Sequence, residues 1–481
     1  MLCLFKLVET RDKFVKKHKQ MMKYFVYILP SAIMAVKRYN IITDLTFAGG
    51  DVSLKSKEDV SIKSLFESAE DRLVKNTQFG FTLDLTEGTQ KKLKKHPKII
   101  MIEEDKPVKT AVNTLGSTIG SMPESLFNSS ILNSTLMKSS FATEEQVSFI
   151  LQKVSSWGLS KISGHKDGYY EYIEGGGRDV NVYILDTGID EDHPEFEGRA
   201  RMGYNAVEYS QNTDENGHGT HCAGIIGSKT FGVAKGVNLI GVKVLDREGQ
   251  GMISKIVEGL DFVIRDIADQ NYILDSYNLG SKTRFLNERD IFKFPLSFLN
   301  HPTTPKRIRA VVNMSIGGER SRILNHVIRE ASVKYGIHFS TAAGNDNKDA
   351  CEFSPSSSSM GLTIGASDAD DRIARFSNSG VCVDLYAPGT FIRSTWPNNG
   401  TRIASGTSMA TPHVAGIMAI YLGLADFEPD ELKERIVQDS SDAIDGLKIS
   451  FWPFSRQLMP FASLKKLYDR IKTRNLKINA R

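Results

Sequence analysis

What this chain has little of narrows its class first. Four cysteines in 481 residues exclude a small scaffold held together mainly by disulfides. A net charge of +4 gives no basis for a nucleic-acid partner. The basic residues gather instead near the two ends, Lys13–Lys23 and Lys465–Lys477, and the second cluster reads as a solvated helix face or tail. The uncharged stretch Tyr24–Ala35 is too short to cross a bilayer as a helix, so no stable membrane anchor is expected. Behind its basic flank it has the length of a signal-peptide core, although a buried strand is the rival reading. The remaining 40% hydrophobic and 25% charged content is that of an ordinary soluble globular protein, and the length suggests two or three domains.

What is present is concentrated in three places. Ser405–Gly416 sets Ser408 between a glycine and a run of small residues that reads as a tightly packed helix. A serine becomes a nucleophile only when a neighbour takes its proton, and a helix N-terminus offers free N–H groups to a developing oxyanion. Gly406 is expected to provide a sharp turn into that helix. Asp214–Gly224 places His218 between two glycines, which are expected to keep side chains away from the imidazole. His218 and His221 also form an H-x-x-H pair, but the glutamate and third ligand of a helical zinc hydrolase are not evident. Asn181–Asp190 reads as a buried parallel strand ending in Asp186, a carboxylate able to orient an imidazole at the mouth of a sheet.

The order Asp186, His218, Ser408 is that of subtilisin and differs from chymotrypsin-like and α/β-hydrolase chains. On these residues the chain resembles the subtilisin family of serine proteases, and within it the proteinase K and fungal vacuolar proteinase B branch. Asn216–Gly224 with Cys222, Gly336–Phe339, Ala342–Asn345 and Asp349–Cys351 carry the likeness, which runs from about Trp157 to Leu424. The resemblance implies an α/β fold, a three-layer sandwich with a mostly parallel central sheet, preceded by a small α/β propeptide. It implies endoproteolysis through an acyl-enzyme, with Asp186, His218 and Ser408 catalytic and Asn345 completing the oxyanion hole. Substrate is expected to add as a strand between Ser315–Gly318, including Ile316 and Gly317, and a second wall around Gly251. Ala342, Ala343 and Gly344 leave the pocket before the cut roomy and uncharged. Convertases that cut after basic pairs need acidic pocket walls and a further β-sandwich, and too few residues follow Ser408 for one. A catalytically silent binding protein of the same fold is the rival, against which all four site residues weigh.

The expected organisation is a signal or basic segment over 1–35, an inhibitor-like propeptide over 36–108 and a Ser/Asn-rich linker over 109–150. A catalytic domain over 151–445 and a basic extension over 446–481 follow. In the propeptide, Arg38–Thr43 and Gly80–Leu85 read as strands, Gln90–Lys95 as a helix, and Ile99–Ile102 as an edge strand. It is expected to act as inhibitor and folding template, since a parallel sheet of distant strands folds slowly. The mature N-terminus is expected between about Thr110 and Ser155, and residues 266–309 as a surface insertion. Asn128, Asn133 and Asn399 begin glycosylation sequons, usable if the chain enters the secretory pathway. The destination would then be the cell surface, the medium or a vacuolar lumen. By resemblance, Cys351 and Cys382 pair, Cys222 remains a buried thiol, and Asp384 with the Ser359 and Gly361 carbonyls could hold a structural calcium. No cofactor is expected for catalysis, the partners are polypeptide substrates, and the protein is expected to be a monomer.

Overall fold

The computed structural model describes residues 36–43, 72–96, 99–112, 147–154, 156–165, 168–279, 308–440 and 460–479. The chain divides into two compact units, Met1–Glu104 and Asp105–Arg481.

In the first unit, β1 (Lys37–Thr43), β2 (Arg72–Thr77), β3 (Gly80–Leu85) and β4 (Ile99–Glu104) form an antiparallel sheet in the order β2-β3-β1-β4. Tyr39, Ile41, Leu83 and Leu85 alternate inward and close on Leu93 of helix α1 (Glu87–Leu93). The helix begins earlier than its expected Gln90 because the Thr86 hydroxyl accepts from the Thr89 N–H. The polar strand β2 was not anticipated, having no clear alternation.

In the second unit, β5 (Pro107–Thr110) comes first, then β6 (Phe149–Lys153), helix α2 (Trp157–Ile162) and β7 (Tyr169–Ile173). The central elements are β8 (Val180–Asp186), β9 (Ala200–Asn205), α3 (His218–Gly227), β10 (Asn238–Lys243), β11 (Gln250–Met252) and α4 (Ile253–Leu279). They continue with β12 (Arg309–Met314), β13 (Ile316–Glu319), α5 (Arg322–Tyr335), β14 (His338–Ala342), β15 (Phe353–Ser354), β16 (Leu362–Ser367) and β17 (Leu385–Pro388). The hairpin β18 (Ile392–Trp396) and β19 (Gly400–Ala404) precedes helices α6 (Thr407–Leu424), α7 (Pro429–Asp439) and α8 (Lys465–Asn479).

Seven strands form one parallel sheet in the order β17-β16-β14-β12-β8-β10-β9. It is the central layer of a three-layer α/β sandwich. Strand β8 shows why: every residue is buried, as a strand covered on both faces requires. Val180, Val182 and Ile184 enter the core shared with α3 and α6. Asn181 and Tyr183 turn the other way, bonding Gln270 and Asp266 of α4. Because β8 lies inside the sheet with β10 on one side and β12 on the other, its carboxyl end opens at the point where the strand order reverses.

Two expectations become more specific. Residues 266–279 lengthen α4, so this part of the anticipated insertion continues a helix; residues 280–307 lie outside the described residues. Of the two readings of the basic C-terminal cluster, solvated helix face or tail, the helix face holds: Lys465, Lys466 and Arg470 are exposed on α8. Tyr386 of β17 bonds both Pro460 and Ala462, and Phe461, Leu464 and Tyr468 are buried in the core. Their apolar side covers an edge that would otherwise expose backbone and core, while Arg470 and Lys472 pair with Asp439 and Glu171. Among the described residues no single helix is long and apolar enough to cross a membrane.

Candidate active site

Asp186 ends β8 fully buried, and its Oδ1 lies 2.7 Å from Nδ1 of His218, the first residue of α3. Two supports hold this pair. The Thr187 N–H donates to Asp186 Oδ1 at 2.7 Å, and Thr187 Oγ1 accepts from the Gly219 N–H at 3.0 Å. Asp214 caps α3 from outside: its carboxylate accepts from the Gly217 and Thr220 N–H groups, each at 2.8 Å, and from Thr187 Oγ1. These residues were missed; Asp-Thr-Gly and Asp-x-x-Gly-His are the sequence signals that contain them. The glycines flanking His218 act by close approach. Gly217 has φ +105°, and a Cβ on Gly219 would sit 2.0 Å from the Gly188 carbonyl oxygen. Gly219 lets the helix start press against the end of β8, and Gly217 lets it pass the Trp396 ring, which a Cβ there would meet at 2.2 Å.

Burial opposes a charge on His218, but the adjoining Asp186 carboxylate and the hydrogen bond to it outweigh burial and hold its pKa well above the ordinary range. His221 is spent elsewhere. Its Nε2 bonds the Arg402 carbonyl at 3.0 Å, and burial lowers its pKa to about 3. The H-x-x-H pair therefore does not converge on one point. Cys222 is a buried free thiol 4.0 Å from His218 Nδ1, its pKa raised by burial.

Ser408 occupies the first turn of α6, wholly buried. Pro412, one turn later, has no N–H to offer the Ser408 carbonyl. That carbonyl instead accepts from Ser315 Oγ at 3.0 Å and Cys222 Sγ at 3.5 Å, tying the serine to β13's approach and to α3. The Ser408 hydroxyl donates to the Ser315 carbonyl at 2.9 Å, and His218 Nε2 has no partner among the described residues. Ser408 and His218 are thus not hydrogen-bonded to each other in this arrangement.

The segment after β4 lies against the same residues. Asp105 accepts from the Ser254 N–H at 2.9 Å at the start of α4. Strand β5 then lies between β11 and β13, antiparallel to both, in a four-stranded sheet with β15. Val108 faces Gly251 and Gly318, Lys109 faces Gly317, and Thr110 faces Ile316. The Ala111 N–H donates to the Ser315 carbonyl at 3.0 Å. The Ala111 carbonyl accepts from the Ser408 N–H at 3.2 Å and from Asn345 Nδ2. Gly406 is extended, so no turn demands glycine; a Cβ there would meet this carbonyl oxygen at 2.5 Å.

Asn345 follows β14 on a turn gripped from two sides. Its Oδ1 accepts from the Thr407 N–H at 2.9 Å and Thr407 Oγ1 at 3.0 Å, which aims Nδ2 at Ala111. Gly344 has φ +103° and donates to Thr407 Oγ1 at 3.2 Å. The buried Asn378 side chain donates to the Ala343 carbonyl and accepts from the Asp346 and Lys348 N–H groups, closing the turn. Neither Thr407 nor Asn378 was anticipated.

Residues 177–451 match the Subtilase family. The chain belongs to that family. It is 38% identical over 430 residues to a subtilisin-like proteinase of Encephalitozoon cuniculi, covering 82% of this chain and 86% of that one. It is 35% identical over 435 residues to Proteinase R of Parengyodontium album, covering 88% and 93%. Among solved structures it resembles a cold-adapted subtilisin-like serine proteinase at 34% identity with a TM-score of 0.51, covering 64% of this chain and 97% of that one. The subtilase is accordingly a serine peptidase with the subtilisin-like fold.

The peripheral expectations divide. Cys351 and Cys382 are joined in a disulfide. Asn399 is exposed in the turn between β18 and β19, whereas Asn128 and Asn133 lie outside the described residues, as do residues 1–35 and Cys3. The calcium expectation at Asp384 does not fit the residues present. Lys433 Nζ donates to Asp384 at 3.0 Å and to the Ser359 and Gly361 carbonyls at 3.1 and 2.8 Å, taking all three oxygens.

Proposed function

We propose that this subtilase is made as a zymogen, first cuts its own Ala111–Val112 bond, and then acts as an endopeptidase of broad specificity in the secretory pathway. The observation that carries the reading is the Ala111 carbonyl, accepting from Ser408 N–H and Asn345 Nδ2 while β5 fills the strand position between β11 and β13. A peptide held by backbone pairing offers its carbonyl to an oxyanion hole in this way.

In this reading the Ser408 hydroxyl leaves the Ser315 carbonyl by rotation about χ1 and turns to His218 Nε2. His218 takes the hydroxyl proton as Oγ bonds to the Ala111 carbon, and the negative charge gathers on the carbonyl oxygen between the two donors. The C–N bond to Val112 breaks as His218 returns the proton to that nitrogen. Water, deprotonated by the same imidazole, then releases the acyl group from Ser408. Asp186 holds the imidazole's tautomer throughout. Because the His218 pKa is raised, activity is expected on the neutral to alkaline side.

Specificity follows the bound segment. Val108 and Ala111 are buried while the Lys109 side chain is exposed, so apolar anchors alternate with an open position. The secretory reading rests on the Cys351–Cys382 disulfide, which suits an oxidising compartment, on the exposed Asn399 sequon and on the Tyr24–Ala35 stretch. Secreted, cell-surface and vacuolar destinations share that entry.

Mass spectrometry of the N-terminal fragment released on maturation tests the proposal. It should end at Ala111 and be absent from Ser408→Ala, which should accumulate as precursor. Release of the same fragment from Ser408→Ala overturns self-processing, and an end elsewhere overturns the assigned bond.

A further inference from the structure

We propose that the Lys433 ammonium is a tethered replacement for a structural cation, making the stability of this locus independent of metal. Lys433 lies on α7, and its three N–H groups meet three oxygens: the Asp384 carboxylate and the Ser359 and Gly361 carbonyls. An ammonium has three donors and no acceptor, so this triangle uses its full bonding capacity. The contacts, 2.8 to 3.1 Å, have the length of N–H···O bonds, whereas calcium needs six or more oxygens at about 2.3–2.6 Å.

Charge points the same way. One ammonium against one carboxylate leaves the cluster neutral, with both side chains 22% exposed. A dication at the same oxygens would have to displace the ammonium or lie against a like charge. The carboxylate is itself pinned: Asp384 Oδ2 accepts from the Thr363 N–H at 2.8 Å, and the Asp384 N–H donates to the Thr363 carbonyl at 2.9 Å.

The position gives the cluster work to do. Ser359 and Gly361 belong to the loop from β15 to β16, and Asp384 immediately precedes β17. Strand β15 pairs with β13, the wall that contacts β5, and β16 pairs with β14, the strand that leads to Asn345. Lys433 thus ties α7 to a loop running between the substrate wall and the sheet. Removing its side chain leaves one carboxylate and two carbonyls facing a space that water can complete into a calcium shell.

The test is a set of thermal melts on the full chain carrying Ser408→Ala to prevent self-digestion, each run in chelator, millimolar calcium and millimolar magnesium. The parent should show no calcium response that Asp384→Asn removes. Lys433→Ala should melt roughly 4 °C lower in chelator and recover in calcium but not in magnesium. Adding Asp384→Asn to Lys433→Ala should abolish that recovery. Lys433→Met, which fills the space without charge, should stay low in all three conditions. A parent stabilised by calcium through Asp384 overturns the proposal, as does Lys433→Ala melting with the parent in chelator or failing to respond to calcium. If Lys433→Ala does not fold in chelator, production with calcium present should recover it, and failure there also overturns the idea.

Discussion

Asn345→Ala is the most direct test of how the site divides its work. In the bound arrangement the Ala111 carbonyl has two donors, Asn345 Nδ2 and the Ser408 N–H at 3.2 Å. The substitution leaves one. Loss of the oxyanion amide in subtilisin itself costs about 10²–10³ in kcat, or roughly 3–4 kcal/mol, and that range is adopted because the donor set here is the same. The backbone pairing of β5 with β11 and β13 is untouched, so ground-state binding and KM should change little. Thr407→Val supplies an internal gradation. It removes both Oγ1 bonds, the one donated to Asn345 Oδ1 and the one accepted from the Gly344 N–H, but keeps the Thr407 N–H bond to Asn345, so about 1–2 kcal/mol and roughly a five- to thirtyfold loss are expected. Thr407→Ser should restore the rate. The assay is steady-state hydrolysis of a chromogenic peptide by protein matured in trans with a trace of active enzyme. A large rise in KM at unchanged kcat, or a kcat within a few-fold of the parent for Asn345→Ala, refutes the assignment.

Other outcomes follow from the same geometry. Asp186→Asn should lower kcat by about 10⁴; without the carboxylate, burial pushes His218 down and only neighbouring Cys222 still opposes it, so the acid limb of the pH–rate profile should move to lower pH. An unmoved limb contradicts that pairing. Gly219→Ala drives a methyl to 2.0 Å from the Gly188 carbonyl oxygen, a backbone contact that cannot give, so soluble precursor should fall sharply. Normal yield and activity would show that α3 can shift without losing the site. Acid should weaken the fold through His221, His338 and His413, buried neutral with pKa values of about 3, 4 and 4. Their folded values lie below the unfolded one, so the unfolded chain binds protons first and stability falls as pH drops below about 6.5. Each contributes about 2 kcal/mol of loss at pH 5, while His218, shifted upward, works in the opposite sense. Urea unfolding of the Ser408→Ala precursor at pH 7 and 5 should show the decline, and His338→Gln should reduce it by about a third. A midpoint that does not change with pH removes this account.

The residues that define the chemistry were legible because that chemistry demands particular side chains in particular local settings. A carboxylate closing a buried strand, a histidine opening a glycine-flanked helix and a serine before a small-residue helix each leave a local pattern. The helix–strand alternation that builds a parallel sheet is local too. Local reading explained some residues wrongly for the same reason. Gly406 looked like a turn residue, and only the carbonyl of Ala111, nearly three hundred positions earlier, shows that it leaves room for that oxygen.

The sequence pointed to the fold class and to Asp186, His218 and Ser408, and its likeness to the subtilisin family implied the Cys351–Cys382 pair. Tertiary structure alone decided what lies between the walls, which carbonyl meets Asn345, why Pro412 sits one turn after Ser408, and that Lys433 takes the oxygens expected to hold calcium. Those are contacts across 234, 93 and 49 positions of chain. Hydrophobic period and turn chemistry act over a few residues, so they specify elements; which donor finds which acceptor depends on how the finished layers pack.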